Sequence, residues 1–389
     1  MSKIPQSNQP TLFNEPATLF PKTEFLEFIT SKLGDKAADL TDLAERLEWY
    51  EAPVTQVAEY NADRKWEIVS AIQKSIRRGN VAIALEMSAT LLRADQEPLT
   101  TYLWRRIAVT AGEDIGLAEP ELVAFVLLCN QFFTPKKFPT LQPKVLSFLT
   151  EELAQASKDR SLCDFSVISM WAKNGDPGGR EGEEIIKQVR ECDAIAKSCA
   201  SNKDRKPYWV NYAGYTRLLN YLVEQDYRTE GMTKFVGLEL QFMKGGTERQ
   251  LCSPEYALVT RPPMLRGIPE YAYDMHTRVG KRALVRFSEY EKIKPYLPPG
   301  TERLGALGWA LFYVEGGQLD RDVGYPKRDA IEQLSCRLAL TAQGIAPEKV
   351  GDFLLVVRYS LPVLNGIRMA IVHEAYRAGY KTSDSGDKK

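Results

Sequence analysis

No G-x-x-x-x-G-K-[ST] string occurs anywhere in this chain, so the backbone cradle that a P-loop ATPase wraps around its phosphates is not encoded. ATP hydrolysis is therefore not expected. Histidine is nearly absent: His276 and His373 are the only two. The six cysteines (129, 163, 192, 199, 252 and 336) form no C-x-x-C pair and have no histidine at ligand spacing. They read as buried thiols in a reducing compartment, without a disulfide framework, and neither a metal site nor a cofactor is expected. No apolar run approaches the roughly 18 residues of a membrane span, and the N-terminus has no apolar leader core; a cytoplasmic protein with no membrane partner is expected. Charge of either sign is not in excess, with 51 Lys+Arg against 51 Asp+Glu. A neutral chain does not coat nucleic acid indiscriminately, so any such binding has to come from local patches. Internal repeats are missing as well.

What remains is the pattern of a helical globular protein. Hydrophobic residues make up 44% of the 389 positions, and the length allows two or three domains with ample core. Residues 1–22, punctuated by Pro5, Pro10, Pro16 and Pro21, read as a disordered tail, and 381–389 as a second polar tail. Ile68, Ile72 and Ile76 recur at helical spacing, Arg77 and Arg78 complement a helix C-terminus, and Gly79 offers a left-handed stop. Further helices are predicted at 81–93, 98–111, 120–132, 142–157, 162–172 and 183–200, and then at 208–226, 282–295, 328–344 and 348–379. Asn174 to Gly179 is a loop, 243–281 reads as irregular, and Phe235–Phe242 and Tyr256–Arg261 are the only mild strand candidates. The fold class is mainly α: two packed helical lobes, 23–205 and 206–380, the second carrying the irregular segment.

Three runs in the first lobe carry a family pattern: Ser70-Ala71-Ile72-Gln73-Lys74-Ser75-Ile76-Arg77-Arg78-Gly79, then Trp104-Arg105-Arg106-Ile107-Ala108, then Gly112-Glu113-Asp114-Ile115-Gly116-Leu117-Ala118-Glu119-Pro120. Together they resemble the helical C-terminal part of the RarA / Werner-helicase-interacting-protein family of clamp-loader-like ATPases. Clear matches cover about a seventh of the chain. The resemblance implies a collar-like helical lobe that sits near DNA and mediates association, here without the ATPase domain. Glu113-Asp114 reads as a feature of helix termination, not as a catalytic pair.

Polar constellations suggest where chemistry would lie. Asp274, His276 and Arg278 would project to one side of an extended segment, flanked by Tyr271 and Tyr273. A carboxylate, an imidazole and a guanidinium on one patch suit acid–base chemistry beside a phosphate. Lys281 and Arg282 fall where a helix N-terminus is expected, a place that favours phosphate. Lys206, Tyr208 and Trp209 belong to a cluster of interleaved cations and aromatics, from Lys203 to Arg217, on which bases could stack, although Trp209 also falls at helical spacing with Tyr212 and Tyr215. His373, within an apolar helix, reads as structural. In the N-terminal tail, Gln9, Leu12 and Phe13 form a Q-x-x-L-F string like the peptide with which bacterial replication proteins dock on the sliding clamp.

Two functions follow. In the first, the chain is a DNA-acting protein of replication, repair or antiphage defence, brought to replicating DNA by its clamp-binding tail. Its DNA contacts would come from Arg77, Arg78, Arg105 and Arg106 and from the clusters at 203–217 and 278–286. The alternative is a metal-independent DNA glycosylase, favoured over a nuclease because no further carboxylate accompanies Asp274 in sequence. Asp274 would stabilise the sugar cation or orient water, His276 with Arg278 would assist the leaving base, and an aromatic would hold the extruded nucleotide.

Overall fold

The computed structural model describes residues 19–53, 64–93, 97–198, 217–243, 248–249, 262–316, 319 and 323–377. The protein is mainly α. The Gln9–Phe13 string and the Lys206/Tyr208/Trp209 cluster lie outside the described residues, as does Tyr256–Arg261.

The N-terminal helices are α1 (Lys22–Leu33), α2 (Thr41–Trp49), α3 (Lys65–Arg77), α4 (Val81–Arg93), α5 (Glu97–Thr110), α6 (Pro120–Phe132) and α7 (Gln142–Gln155). The isoleucine stripe of α3 is fully buried, and α3 packs on α4 and α7. Each such side chain contributes roughly 1.5–3 kcal/mol by leaving water. Gly79, at φ 66°, turns the chain in the left-handed region, and Asn80 then caps α4 by accepting the Ile83 amide at 3.3 Å. Pro120 starts α6 at the position where a missing N–H costs nothing. Between α5 and α6, residues Ala111–Ile115 continue the helix as a π turn. The turn ends at Gly116, φ 52°, where a Cβ would stand 2.8 Å from the Asp159 carbonyl. Only glycine fits there.

The chain continues through α8 (Ser161–Trp171), α9 (Arg180–Ser198), α10 (Arg217–Glu224), α11 (Val236–Met243), α12 (Arg278–Phe287), α13 (Glu302–Leu311), α14 (Arg328–Ala342), α15 (Val350–Tyr359) and α16 (Leu361–Arg377). A second π turn, Phe312–Gly316, extends α13. The strands are two residues each: β1 (Glu248–Arg249) pairs antiparallel with β4 (Val323–Gly324), and β2 (Met264–Leu265) with β3 (Ile268–Pro269). The buried apolar side chains form a contiguous cluster from Phe25 to Val372.

The helix expected at 282–295 runs instead over Arg278–Phe287, Glu302–Leu311 is a helix that was not expected, and two further elements differ in kind. Phe235–Phe242 was expected as a strand but is helical from Val236, because this helix buries Val236, Gly237, Leu238 and Glu239 in succession. A helix sunk on most sides shows no 3.6-residue stripe, and its apolar residues then mimic alternation. The expected helix 348–379 is broken at Ser360, since Pro362 lacks an amide proton and its ring would clash with the carbonyl of Arg358 in a continuous helix. Its two halves meet at 53°, and no single helix among the described residues is long and apolar enough to cross a membrane.

Candidate functional site

Helix α3 turns its cations inward. Arg77 is 3% exposed; its Nε donates to Asp114 Oδ1 at 2.6 Å and its Nη2 to Asp114 Oδ2 at 3.2 Å and Glu113 Oε1 at 3.1 Å. Its remaining Nη1 donates to the Gly316 carbonyl in the second π turn. Arg160 lies on the other side of the same carboxylate, 3.5 Å from Asp114 Oδ1. Arg78 donates to the Glu315 carbonyl at 2.7 Å and lies 4.4 Å over the ring of Tyr271. Glu315 itself is gripped by both guanidinium nitrogens of Arg368, at 2.7 and 2.8 Å. The two π turns thus meet across α3, and Glu113-Asp114 belong to a buried ionic knot. Arg77, expected as a DNA contact, spends its donors inside the protein, and Arg78, expected likewise, is half-buried with Nη2 on the Glu315 carbonyl and its guanidinium over Tyr271.

The Asp274 segment is a tight turn, not an extended strand. The Asp274 side chain accepts from Ser70 Oγ at 2.9 Å and from Lys74 Nζ at 2.8 Å, while its other oxygen accepts the His276 amide at 2.8 Å. Thr277 then caps α12 by accepting the Gly280 amide at 3.0 Å. At Gly280 a Cβ would fall 1.7 Å from the Asp274 carbonyl, so the helix and the turn approach backbone to backbone. The three expected partners do not converge: Asp274 points inward to Lys74, whereas His276 and Arg278 are exposed. Tyr271 and Tyr273 are buried, their hydroxyls bonded to Ser75 Oγ at 2.7 Å and the Leu265 carbonyl at 2.9 Å, so neither offers a free face to a base. Lys281 is exposed, and Arg282 and Arg286 both reach Glu374 on α16, at 3.4 and 2.7 Å.

Burial opposes the charge of Asp274, but the adjacent Lys74 ammonium outweighs it and holds the carboxyl down at about 2. A depressed carboxyl adds stability that is complete above its unfolded value and is lost as pH falls through the folded one. Asp274→Asn is therefore expected to cost about 2–3 kcal/mol at pH 7, a deficit that disappears toward pH 2. Urea unfolding at neutral and acid pH measures it. Equal stability of the two proteins at pH 7 would release Asp274 from this structural role.

Two solvent-facing cations, Arg105 and Arg228, line a cleft of about 700 Å³ between α5, the end of α6 and a 3-10 turn at Asp226–Thr229. Thr101, Trp104 and Arg105 line one side, Asn130, Gln131, Thr134 and Pro135 the second, and Tyr227 with Arg228 the third. Its lining has two guanidinium groups and no carboxylate. The Arg105 side chain is 72% exposed, and among the described residues its ion-pair partner is Glu230, at 3.8 Å. Arg106 is directed instead to Gln73 Oε1, at 3.3 Å.

The turn that presents Tyr227 and Arg228 is held firmly. Buried Asp226 accepts from the Lys234 amide at 2.7 Å and Thr233 Oγ1 at 3.2 Å, and its carbonyl accepts from Thr229 Oγ1 at 2.9 Å. Thr229 packs where a Cβ on Gly112 would come within 2.9 Å of it, so the glycine that opens the Gly112–Pro120 run seats this wall of the cleft. Sequence reasoning named Arg105 but missed Tyr227 and Arg228, which belong to no motif. The one available signal was two successive residues of stacking and cationic type after a turn-forming aspartate.

Comparison with known proteins places little beside this chain. Over 110 residues, 28% of this chain, it is 31% identical to an uncharacterized AAA domain-containing protein of Mycobacterium tuberculosis. The match spans about a quarter of that protein, 24% of its length. No family model matches the chain. No solved structure matches it.

Proposed function

We propose that this chain is a DNA-acting protein of replication, repair or antiphage defence that works without ATPase activity and reaches replicating DNA through a sliding-clamp contact made by Gln9, Leu12 and Phe13. The observation that carries the reading is the cleft bounded by Arg105 and Arg228, an open concave site with cations and no carboxylate in its lining. Phosphate is the ligand such a site favours, because the guanidinium fork matches its oxygens and remains charged at every physiological pH. Exposed Arg278 and Lys281, at the start of α12, would add contacts elsewhere on the surface. The distant likeness to an AAA domain-containing protein and the clamp-loader-like motifs agree with this class of work. The Asp274 turn serves in this reading as architecture.

Binding to labelled DNA, followed by fluorescence anisotropy at increasing salt, tests it. Affinity is expected to fall steeply with salt, and Arg105→Ala to weaken binding and flatten the slope of log affinity against log salt by about one. An absence of binding at about 50 mM salt would refute the proposal. The clamp contact is tested separately by removing residues 1–18 and measuring retention on immobilised bacterial sliding clamp.

A further inference from the structure

Resting on the DNA-binding reading above, we infer that the Arg105–Tyr227–Arg228 cleft is a seat for an unpaired nucleotide, so that the favoured ligand is a single strand and not a duplex. Tyr227 is 61% exposed, unusual for a tyrosine on a turn as tightly bonded as this one. Its hydroxyl is already engaged by Arg228 Nε at 2.7 Å, and the same guanidinium lies 5.1 Å from the ring centroid. The ring is thereby fixed at the cleft wall as a platform. A base stacked on it would have Arg105 and Arg228 within the same cleft for its phosphates, and Asn130, Thr101 and Thr134 as neutral hydrogen-bonding groups. A volume of about 700 Å³ falls within the range of sites that enclose small organic ligands. Paired bases keep their faces inside the helix stack, so a duplex has nothing to place on Tyr227.

A second aromatic group continues the path. Tyr102 precedes Arg105 by three residues on α5, about 4.5 Å of helix rise, and so shares its face. The ring of Trp66, half exposed, meets that of Tyr102 edge-on at 5.5 Å, and Lys65 Nζ lies 4.0 Å over the Tyr102 ring. Aromatic platforms alternating with cations along one surface suit a strand whose successive bases are free to stack. The order Trp66, Lys65, Tyr102, Arg105, Tyr227, Arg228 supplies that alternation.

The test compares an oligo-dT of about 20 nucleotides with a blunt duplex of the same length, using the full chain at low salt. Oligo-dT is expected to bind at least about tenfold more tightly than the duplex. Tyr227→Leu is expected to weaken oligo-dT at least about fivefold and leave the duplex unchanged, while Tyr227→Phe, which keeps the ring and loses only the bond from Arg228, falls by less than Tyr227→Leu. Because Tyr227 is exposed, thermal melting of both variants should match wild type. Equal affinity for the two DNAs, or indifference to Tyr227→Leu, would overturn the unpaired-nucleotide seat and leave DNA binding standing. If dTMP competed as well as oligo-dT at equal nucleotide concentration, the site would be one for mononucleotides, and the strand assignment would fall. Failure to bind either DNA would remove both this inference and the function on which it rests.

Discussion

Arg77→Leu is expected to lower stability by about 3–5 kcal/mol, enough to unfold much of the population of an ordinary domain. The reason is what the substitution leaves behind. Asp114 is fully buried, and Arg77 supplies hydrogen bonds to both of its oxygens. The same guanidinium holds the Gly316 carbonyl and touches Glu113. Removing it strands a buried carboxylate, a second acid beside it and a backbone acceptor at once. Arg160 remains near Asp114 but at 3.5 Å, with its guanidinium also set over the Phe312 ring at 4.3 Å, and it does not reach Gly316 in the contacts described. Arg77→Lys is expected to rescue little, because a point ammonium cannot match a fork that serves two carboxylate oxygens and a carbonyl. The double variant Arg77→Leu with Asp114→Leu should recover part of the loss, since an apolar pair costs less than an orphaned charge. Urea midpoints of the three variants decide the matter. A stable Arg77→Leu protein that had lost DNA affinity would mean that Arg77 faces DNA after all.

That result bears on how sequence motifs of this kind should be interpreted. The Arg77-Arg78 pair and the Glu113-Asp114 pair were legible as signals, and so was the surrounding helical pattern. Helices predicted at 81–93 and 120–132 match α4 and α6 residue for residue. Their ends are marked by Gly79 with Asn80 and by Pro120, residues whose backbone demands act locally. Burial of a charged side chain is not local in that way. The partners of Arg77 lie 37 and 239 residues away, at Asp114 and Gly316, and nothing in the run around Arg77 distinguishes it from Arg105, which faces solvent.

The candidate site was legible in the same uneven fashion. Arg105 came from the motif, whereas its companions in the cleft, Tyr227 and Arg228, arrive from a turn more than a hundred residues later in the chain. The Asp274, His276 and Arg278 series looked convergent only on the premise of an extended segment, for which alternate side chains share a face. In the folded chain Asp274 closes a turn on the His276 amide, and that one hydrogen bond separates the directions of the three side chains. A short aspartate followed by a capping threonine before a helix is itself a turn signal, and Thr277 with Gly280 would have supported that reading.

Glu239→Gln should act in the opposite sense to Arg77→Leu and stabilise the protein, increasingly so as pH rises. Glu239 on α11 is fully buried; neither of its carboxyl oxygens accepts a hydrogen bond among the described residues, and its side chain faces Asp159. Burial, and then the neighbouring Asp159, push its carboxyl well above the usual range. Asp164 adds to that effect, and Arg328 alone opposes it, 3.1 Å from Asp164 and 3.6 Å from Asp159. One guanidinium among three acids disfavours a charge on Glu239. A carboxyl raised in the folded state contributes stability that is complete below its unfolded value and declines as pH climbs toward the folded one. Each pH unit in that interval removes about 1.4 kcal/mol. Glutamine keeps the shape and a donor toward Asp159 while abolishing the titration, so the two proteins should be equally stable near the acid end. The variant should then gain about 1.4 kcal/mol per pH unit over wild type above it. Titrating groups remote from Glu239 are common to both chains and cancel in the difference. Urea unfolding from pH 5 to pH 8 gives that difference directly, and a Gln variant less stable than wild type at pH 8 would show that the pocket requires an ionised Glu239.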